Sequence, residues 1–268
     1  MKIACGVEYD GTRYHGWQRQ TSTTLTVQEM VEKAISHLAN HPVSIICAGR
    51  TDAGVHAFEQ VIHFETDTCR DEHAWIFGTN AHLPDDIRLV WITEVDDSFH
   101  ARYSAAARYY RYEILNRPIK SALRRDHVTT VFHPLDAELM QQGANFLIGK
   151  HDFSSFRASG CQAKSPVKKM HSIVIKRRGD QIIVDIIANA FLHHMVRNIV
   201  GTLLPVGRLE KSPEWVAEVL QAADRRQAGV TAVPNGLYFK GVYYPKKFRI
   251  KTLDAFKPLS ATIENNPI

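Results

Sequence analysis

The apolar residues of this chain follow two different periods, and segments with one period succeed segments with the other in no strict order. A two-residue alternation is typical of strands, and a spacing of three and four residues is typical of amphipathic helices. Strands are predicted at Lys2–Tyr9, Val43–Cys47, Gln60–Phe64, Ile87–Val95, Ala106–Leu115, Ile173–Arg178, Ile182–Ile187 and Gly241–Tyr244. Helices are predicted at Val27–Leu38, Ala74–His82, Asp136–Ile148, Phe191–Val206 and Pro213–Ala223. Because the two types do not alternate regularly, the pattern indicates an α+β fold.

A change of pattern near Ser104 divides the 268 residues into two predicted parts, 1–104 and 105–268. That length is sufficient for one large domain or two small ones with a sizeable core. The formal net charge is +5 and the isoelectric point is about 9.0. This balance favours a polyanionic partner, although only weakly, because many basic proteins bind no nucleic acid.

The cysteines and the apolar segments indicate a cytoplasmic protein. Four cysteines are widely separated and form no CxxC pair, so they are interpreted as reduced thiols: Cys5, Cys47, Cys69 and Cys161. The first residues reach acidic side chains too early for a signal peptide. Asp185 and Asn189 interrupt the longest apolar stretches, so no membrane span is predicted.

One short loop places an arginine, an aspartate and a histidine around two glycines: residues 48–57 read AGRTDAGVHA. The loop directly follows a predicted strand, which is a common place for a catalytic side chain. Asp52 suits the role of nucleophile, general base or metal ligand. An Asx-turn, in which Asp52 only binds neighbouring main-chain amides, explains the local pattern equally well.

His56 lies four residues after Asp52, and two ligands at that spacing can bind a metal when they share a helix. Gly54 disfavours a helix here, and no further carboxylate or histidine completes a ligand set. A solvated or core histidine is therefore favoured over a ligand, and no metal site is predicted.

Two segments are rich in cations and free of acidic residues. The first, Ser98–Tyr112, contains Arg102, Tyr103, Arg108, Tyr109, Tyr110, Arg111 and Tyr112. The second, Phe153–Gly179, contains Arg157, Lys164, Lys168, Lys169, Lys176, Arg177 and Arg178. Cations interleaved with aromatic rings suit the phosphates and unstacked bases of RNA. For the first segment, an exposed strand face explains the pattern equally well.

Arg197 lies among apolar residues of the predicted helix Phe191–Val206. A guanidinium near a core needs a specific partner, and removing one member of a buried pair costs about 3–5 kcal/mol. Asp52 is an attractive partner because an arginine would keep it ionised and oriented. The alternative is that Arg197 extends to solvent without a partner. His193 and His194 are interpreted as packing or surface residues, because adjacent helical side chains point about 100° apart.

Four motifs together resemble the TruA-type family of tRNA pseudouridine synthases: AGRTDAGVHA, ARYYRYEI, HDFSSF and AFLHHMVRNIVG. The likeness extends from VEYDGTRYHGWQRQ to GLYFKGVYY, which is nearly the whole chain. The resemblance implies conversion of uridine to pseudouridine at positions 38, 39 and 40 of the tRNA anticodon stem-loop. The glycosidic bond is cleaved, the base turns, and C5 is joined to the sugar, without a metal or redox cofactor.

The resemblance also assigns roles to individual residues. Asp52 matches the nucleophile, and Arg197 matches the arginine that pairs with it. Arg50 matches the residue that helps to displace the target base, and Leu237 matches an apolar residue of the pocket. Tyr110 matches the aromatic residue that stacks on uracil, and it is counted as catalytic because a tyrosine hydroxyl can also serve as an acid or base. The implied tRNA-contacting residues are Phe99, His100, Ala101, Arg102, Tyr103, Gly160, Cys161, Gln162, Ala163 and Lys164. Lys168 and Lys169, from the acid-free segment, are added to this RNA-binding set.

The implied architecture is a pair of related ferredoxin-like or RRM-like subdomains that share a central, mainly antiparallel sheet, with helices outside and the catalytic cleft between them. A homodimer in which one tRNA contacts both subunits is also implied by the resemblance. Two other functions are weighed against this one. An RNA-binding module without catalysis has little use for a carboxylate near phosphates, which Asp52 would repel. A metal-assisted hydrolase would use Asp52 and His56 and would lose activity with a chelator.

Overall fold

A computed structural model describes residues 1–250 together with Leu253, Phe256, Lys257 and Ile263. The strands in chain order are β1 Lys2–Tyr9, β2 Ile46–Cys47, β3 His56–Glu65, β4 Ile87–Val95, β5 Ala107–Asn116, β6 Thr129–Val131, β7 Gly149–Asp152, β8 Val167–Arg178, β9 Gln181–Ala188 and β10 Leu237–Tyr243. The α-helices are α1 Val27–Ala39, α2 Glu72–His82, α3 Ala137–Asn145, α4 Met195–Gly207 and α5 Trp215–Ala222. The predicted α+β class is confirmed.

The chain forms two compact units, which differ from the predicted division at 104/105. The first unit comprises Met1–Ala107 and the segment from Tyr238 onward, and the second comprises Arg108–Leu237. The C-terminal part returns to the first unit because β10 pairs in parallel with β3, with Tyr238 opposite His56. A pairing between such distant segments leaves no local signal in the sequence.

In the first unit, the strand order is β4-β1-β3-β10, and β2 pairs with β3. The pairs of β1 with β3 and with β4 are antiparallel, so Cys5 lies opposite both Ile62 and Ile92 at the centre of the sheet. Helix α1 buries Val27, Val31 and Ile35, whose spacing places them on one face. These buried apolar residues form part of the core of the first unit.

In the second unit, the strand order is β5-β9-β8-β7, and β6 pairs with β5. The hairpin of β8 and β9 turns at Gly179, whose φ of 57° is a left-handed conformation that favours glycine. Asp136 begins α3, because its carboxylate accepts hydrogen bonds from the N–H groups of Glu138 and Leu139 at 2.9 and 3.0 Å. Helix α3 then packs against both α4 and β8.

Several predicted elements agree closely with the structure, and the exceptions have local causes. β1 and β4 coincide with their predicted ranges, whereas the predicted strand Val43–Cys47 is reduced to β2. Helix α4 begins at Met195 rather than at Phe191, because His194 has a left-handed φ of 59° that cannot continue a helix. The short strands β6 and β7 were not predicted, since three or four residues carry too little periodicity.

Across the described residues, no helix combines the length and the apolar character that are needed to cross a bilayer. All four cysteines are free of disulfide bonds.

We expect acid to destabilise the first unit through His63 on β3. Its Nδ1 accepts a hydrogen bond from the Ala101 N–H at 3.1 Å, and burial, with the nearby charges of His100 and Lys2, lowers its pKa to about 4. In the unfolded chain a histidine binds its proton near pH 6.5. The unfolded state therefore binds more protons, and stability present above about pH 6.5 is lost as the pH falls towards 4.

The His63→Asn variant tests this expectation, because its side chain keeps an acceptor near the position of Nδ1 but does not titrate. We expect urea unfolding at pH 7 and pH 5 to show a smaller loss of stability for the variant than for the wild type. An equal loss in both proteins would assign the acid sensitivity to other groups.

Candidate active site

The loop that carries Asp52 leaves β2 and enters β3, and its first residues are tied to β3. The Ala48 N–H donates to the Val61 carbonyl oxygen at 2.8 Å. The Gln60 carboxamide binds Gly49 twice, since its Oε1 accepts from the Gly49 N–H at 3.3 Å and its Nε2 donates to the Gly49 carbonyl oxygen. Because Gln60 is fully buried, these bonds are shielded from water and hold this end of the loop in place.

A second segment, residues 9–17, packs on the middle of the loop. The Thr51 carbonyl oxygen accepts from the Trp17 N–H at 3.0 Å, and the hydroxyls of Thr51 and Tyr9 share a hydrogen bond of 2.7 Å. Gly16 has a left-handed φ of 89°, and a Cβ atom there would lie 2.8 Å from the Thr51 oxygen. This position therefore requires glycine, and the motif YDGTRYHGW is the structural partner of the loop.

Asp52 begins a tight turn that is closed by the main chain. Its carbonyl oxygen accepts from the Val55 N–H at 3.2 Å, and Gly54 has the positive φ of 76° that such a turn requires. This hydrogen bond does not use the carboxylate. Asp52 is half-buried, and Arg50 on the same loop is exposed. The turn thus presents the Asp52 side chain from a rigid main chain.

His56 is a packed core residue. It is 2% exposed, and its ring stacks on that of Tyr238 with centroids 4.8 Å apart. Its Nδ1 lies 3.0 Å from Asp10 Oδ1 and accepts from the Gly11 N–H at 3.1 Å. The ring therefore connects β3 to the turn after β1.

The segment 99–103 separates into buried and surface positions. Phe99 and Ala101 are fully buried, and the Phe99 ring packs on Tyr244 with centroids 5.1 Å apart. These two side chains anchor the segment, and the contact of residues 99–103 with tRNA stays a prediction. Arg102 and Tyr103 face outward, with the guanidinium carbon 5.7 Å from the ring centroid, and His100 is half-buried.

Strand β5 presents Tyr110 on one face. The side chain is 8% exposed, and its ring meets Phe191 edge to face with centroids 4.9 Å apart. Arg108 lies on the same face by the two-residue alternation, and its Nη1 donates to the Asn189 carbonyl oxygen at 2.7 Å. This side of β5 is therefore rigid around the Tyr110 ring.

The opposite face of β5 carries Tyr109 and Arg111, which both bind Asp185 on β9. Arg111 binds the carboxylate with two bonds, Nε to Oδ1 at 2.7 Å and Nη2 to Oδ2 at 2.9 Å. The Tyr109 hydroxyl donates to Oδ1 at 2.7 Å, and burial together with this bond raises the pKa of Tyr109 to about 12. The polar groups of Tyr109 and Arg111 therefore bind each other and Asp185.

Arg197 on α4 is anchored to the main chain of a later segment. Its Nε donates to the Ala232 carbonyl oxygen at 2.7 Å, and the Ala232 N–H donates back to the Arg197 carbonyl oxygen at 3.1 Å. The side chain is half-buried, so it is not an arginine that simply extends into solvent. The sequence did not identify Ala232 as the partner of Arg197, because every type of residue has a main-chain carbonyl group. Leu237, 4% exposed, follows the short turn Pro234–Gly236.

The loop 160–164 is held by Arg157, whose Nη2 donates to the carbonyl oxygens of Cys161 and Ala163 at 2.6 and 2.9 Å. Burial opposes ionisation of the Cys161 thiol, yet hydrogen bonds from the His193 and Ala163 main chain and from Arg157 bring its pKa below its usual value. In this loop the exposed residues are Gly160, Gln162 and Lys164.

Lys168 and Lys169, on β8, are both half-buried. The Lys168 ammonium donates to the Ser165 and Val167 carbonyl oxygens at 2.7 and 3.0 Å, and burial lowers its pKa. Its charge is therefore held against the main chain of its own segment.

We expect Gly201→Ala to disturb the anchor of Arg197. A Cβ atom at Gly201 would lie 1.8 Å from the Val230 carbonyl oxygen, which directly precedes the segment that holds the guanidinium. Overpacking of this kind costs about 1–3 kcal/mol. Thermal unfolding should show a lower Tm for the variant, and kcat should fall with it. A wild-type Tm and kcat for Gly201→Ala would contradict the role of this contact.

The chain matches a known family over most of its length. A family model described as tRNA pseudouridine synthase matches residues 6–104 and 144–245, which include the loop of Asp52 and helix α4. The tRNA pseudouridine synthase A of Methylococcus capsulatus is 52% identical over 261 residues, covering 97% of this chain and 96% of the relative. The protein of the same name from Pseudoalteromonas atlantica is 53% identical over 253 residues, covering 94% of this chain and 96% of the relative. The chain belongs to the tRNA pseudouridine synthase family and is an enzyme of the isomerase class.

Proposed function

We propose that this enzyme converts uridine to pseudouridine at positions 38, 39 and 40 of the tRNA anticodon stem-loop, with Asp52 as the nucleophile. The observation that carries the proposal is the rigid presentation of Asp52. Its loop is bonded to β3 before the aspartate and to residues 9–17 around it, and the turn is closed without the carboxylate. A fixed main chain limits the freedom of a reacting group and supports attack in one geometry.

The target base must leave the stem before a side chain can reach it. Arg50, exposed on the same loop, is proposed to help displace the base. Tyr110 is proposed to stack on the flipped uracil, an interaction worth about 1–3 kcal/mol per base. Leu237 is proposed to line the pocket beside the base.

Arg197 is proposed to pair with the Asp52 carboxylate and to keep it ionised and oriented. The anchoring of its Nε by Ala232 supports this role, since a guanidinium fixed at one nitrogen can hold a second partner in a defined direction. No metal or redox cofactor takes part in the proposed reaction.

The proposed partner is tRNA, which the net charge of +5 and the exposed cations Arg102 and Lys164 would attract. The enzyme is proposed to act as a homodimer in the cytoplasm. Both of these statements rest on the family resemblance and on the reduced cysteines.

The experiment that tests the proposed function uses three transcripts of one tRNA, each with a single uridine at position 38, 39 or 40 of the anticodon arm. Pseudouridine should form at all three positions in buffer with a chelator. A fourth transcript, with uridine only outside this arm, should remain unmodified. Tight tRNA binding without product would instead identify an RNA-binding module, and loss of activity with the chelator would identify a metal-dependent reaction.

A further inference from the structure

A pocket of about 490 Å³ lies in the second unit, at the start of α4. It is formed by three segments: the short turn Ser154–Phe156 and the residues after it, the residue before α4, and residues 225–231. Its polar lining residues are Ser154, Arg157, Ser159, His194, Arg225 and Thr231. Within the described part of the chain, no carboxylate lines this pocket, so its fixed charge is positive.

Arg225 is held in the pocket by neutral groups. Its Nη2 donates to Asn198 Oδ1 at 3.1 Å and to Thr231 Oγ1 at 2.9 Å, and the Thr231 hydroxyl donates to the same Asn198 oxygen at 2.7 Å. Asn198 is fully buried and donates to the Phe156 carbonyl oxygen at 2.8 Å. The guanidinium is therefore positioned by a buried network rather than by an ion pair.

The charge of Arg225 is not neutralised within the described residues. Burial alone lowers its pKa, with no opposing contribution from a carboxylate. The adjacent Asp224 instead binds Arg226, with 2.7 Å between Oδ2 and Nη2. Because a partly desolvated cation without a counter-ion is costly, this site is suited to an anion that arrives from outside.

Arg157 adds a second positive charge to the same pocket. Its Nη2 binds two main-chain carbonyl oxygens of the loop 160–164, and among the described residues it forms no ion pair. Two guanidiniums and the serine hydroxyls of the lining supply the positive charge and the donors that a phosphate requires. The positive end of the α4 dipole, at His194, favours the same charge.

We propose that this arginine pocket, defined by Arg157 and Arg225, binds a phosphodiester of the tRNA backbone next to the catalytic machinery. The proposal rests on the proposed function. Thr231 lines the pocket, and the next residue, Ala232, anchors Arg197. Arg157 holds the loop 160–164, which is expected to contact tRNA. A phosphate in the pocket would thus set the register of the RNA strand relative to Arg197.

The test compares Arg225→Gln with Arg226→Gln, which removes the same charge one residue away and outside the pocket. Binding of tRNA to each protein is measured over a range of salt concentrations. For Arg225→Gln we expect Kd to rise about tenfold at low salt and the slope of log Kd against log salt to fall by about 0.7–0.9, the value for one phosphate contact. Arg226→Gln should keep the wild-type slope. A wild-type Kd and slope for Arg225→Gln would overturn the proposal.

A second pair of variants covers the case in which Arg225→Gln does not fold. Ser159 is exposed at the pocket, and Ser159→Asp and Ser159→Asn differ only in charge. We expect Ser159→Asp to bind tRNA at least about fivefold more weakly than Ser159→Asn at low salt, because a carboxylate repels phosphate. Equal binding by the two variants would overturn the proposal.

Inorganic phosphate distinguishes the two sources of the anion. The Tm of the wild type and of Arg225→Gln is measured with and without phosphate. If phosphate raises only the wild-type Tm while both proteins bind tRNA equally well, the pocket binds free phosphate and the proposal fails. Pseudouridine is assayed in the same samples. Binding of tRNA that depends on Arg225, without product from the wild type, would retain the pocket and reject the proposed reaction.

Discussion

Asp52→Asn should abolish pseudouridine formation and leave tRNA binding within about threefold of the wild type. The amide has nearly the same shape as the carboxylate but cannot attack carbon, so we expect kcat to fall by at least about 10⁴-fold. Binding should be unchanged or slightly tighter, because the variant removes a negative charge that repels phosphates. The measurement is single-turnover formation of pseudouridine with enzyme in excess, together with tRNA binding by the same preparation.

The control for this experiment is Asp85→Asn. Asp85 is exposed and pairs with Arg88 three residues later, at 2.8 Å. The Asp85→Asn variant makes the same chemical change in the same unit and should leave kcat unaltered. The turn at Asp52 is closed by main-chain atoms, so both variants should melt as the wild type does. Turnover by Asp52→Asn above one hundredth of the wild-type rate would exclude Asp52 as the nucleophile.

Arg197→Met should reduce both activity and stability. Methionine fills a similar volume but loses the bond from Nε to the Ala232 carbonyl oxygen, which is 2.7 Å long. For a half-exposed charged donor this loss costs about 1–2 kcal/mol of the free energy of unfolding. The proposed pairing with Asp52 adds a much larger effect on kcat, which we expect to fall about 10²–10³-fold.

A double-mutant cycle separates these two effects. If Arg197 acts through Asp52, Arg197→Met should lower the residual activity of Asp52→Asn by far less than it lowers the wild-type rate. Arg208→Met, on a residue at the end of the same helix that pairs with Glu210 at 2.7 Å, should leave kcat unchanged. An unchanged melting curve and rate for Arg197→Met would show that this arginine has neither role.

The Arg197→Met and Gly201→Ala variants together also report on the fold of the second unit. Arg197 connects α4 to Ala232, and Gly201 permits the close approach of α4 to residues 229–230, which lie just before Ala232 in the chain. A lower Tm for both Arg197→Met and Gly201→Ala would identify this contact as one packed element. A lower Tm for Arg197→Met alone would assign the stability to the guanidinium of Arg197.

Local sequence signals predicted the elements whose stabilisation is local. The range of α1 follows from the apolar spacing of Val27, Val31 and Ile35, and the start of α3 follows from the capping side chain of Asp136. The start of α4 could not be predicted in this way. Phe191 and Leu192 continue the apolar pattern, but the left-handed conformation of His194 begins the helix later.

The cation-rich segment 98–112 shows why residue type alone does not assign a role. The same mixture of arginine and tyrosine produces an outward pair at Arg102 and Tyr103 and a bonded cluster at Tyr109 and Arg111. The difference arises from Asp185, which is more than 70 residues away in sequence and lies opposite Arg111 only after β9 pairs with β5.

Patterns among neighbouring residues predicted the α+β class and the family, because periodicity and a long non-repetitive motif are local properties of a chain. The contacts that hold the Asp52 loop and Arg197 in place appear only in the folded chain. Gln60, Trp17 and Ala232 fix the main chain around the proposed catalytic residues. Tyr238 returns the end of the chain to the first unit. These contacts join segments that are far apart along the chain, and many of them use main-chain atoms that every residue possesses. A local sequence pattern therefore does not predict them.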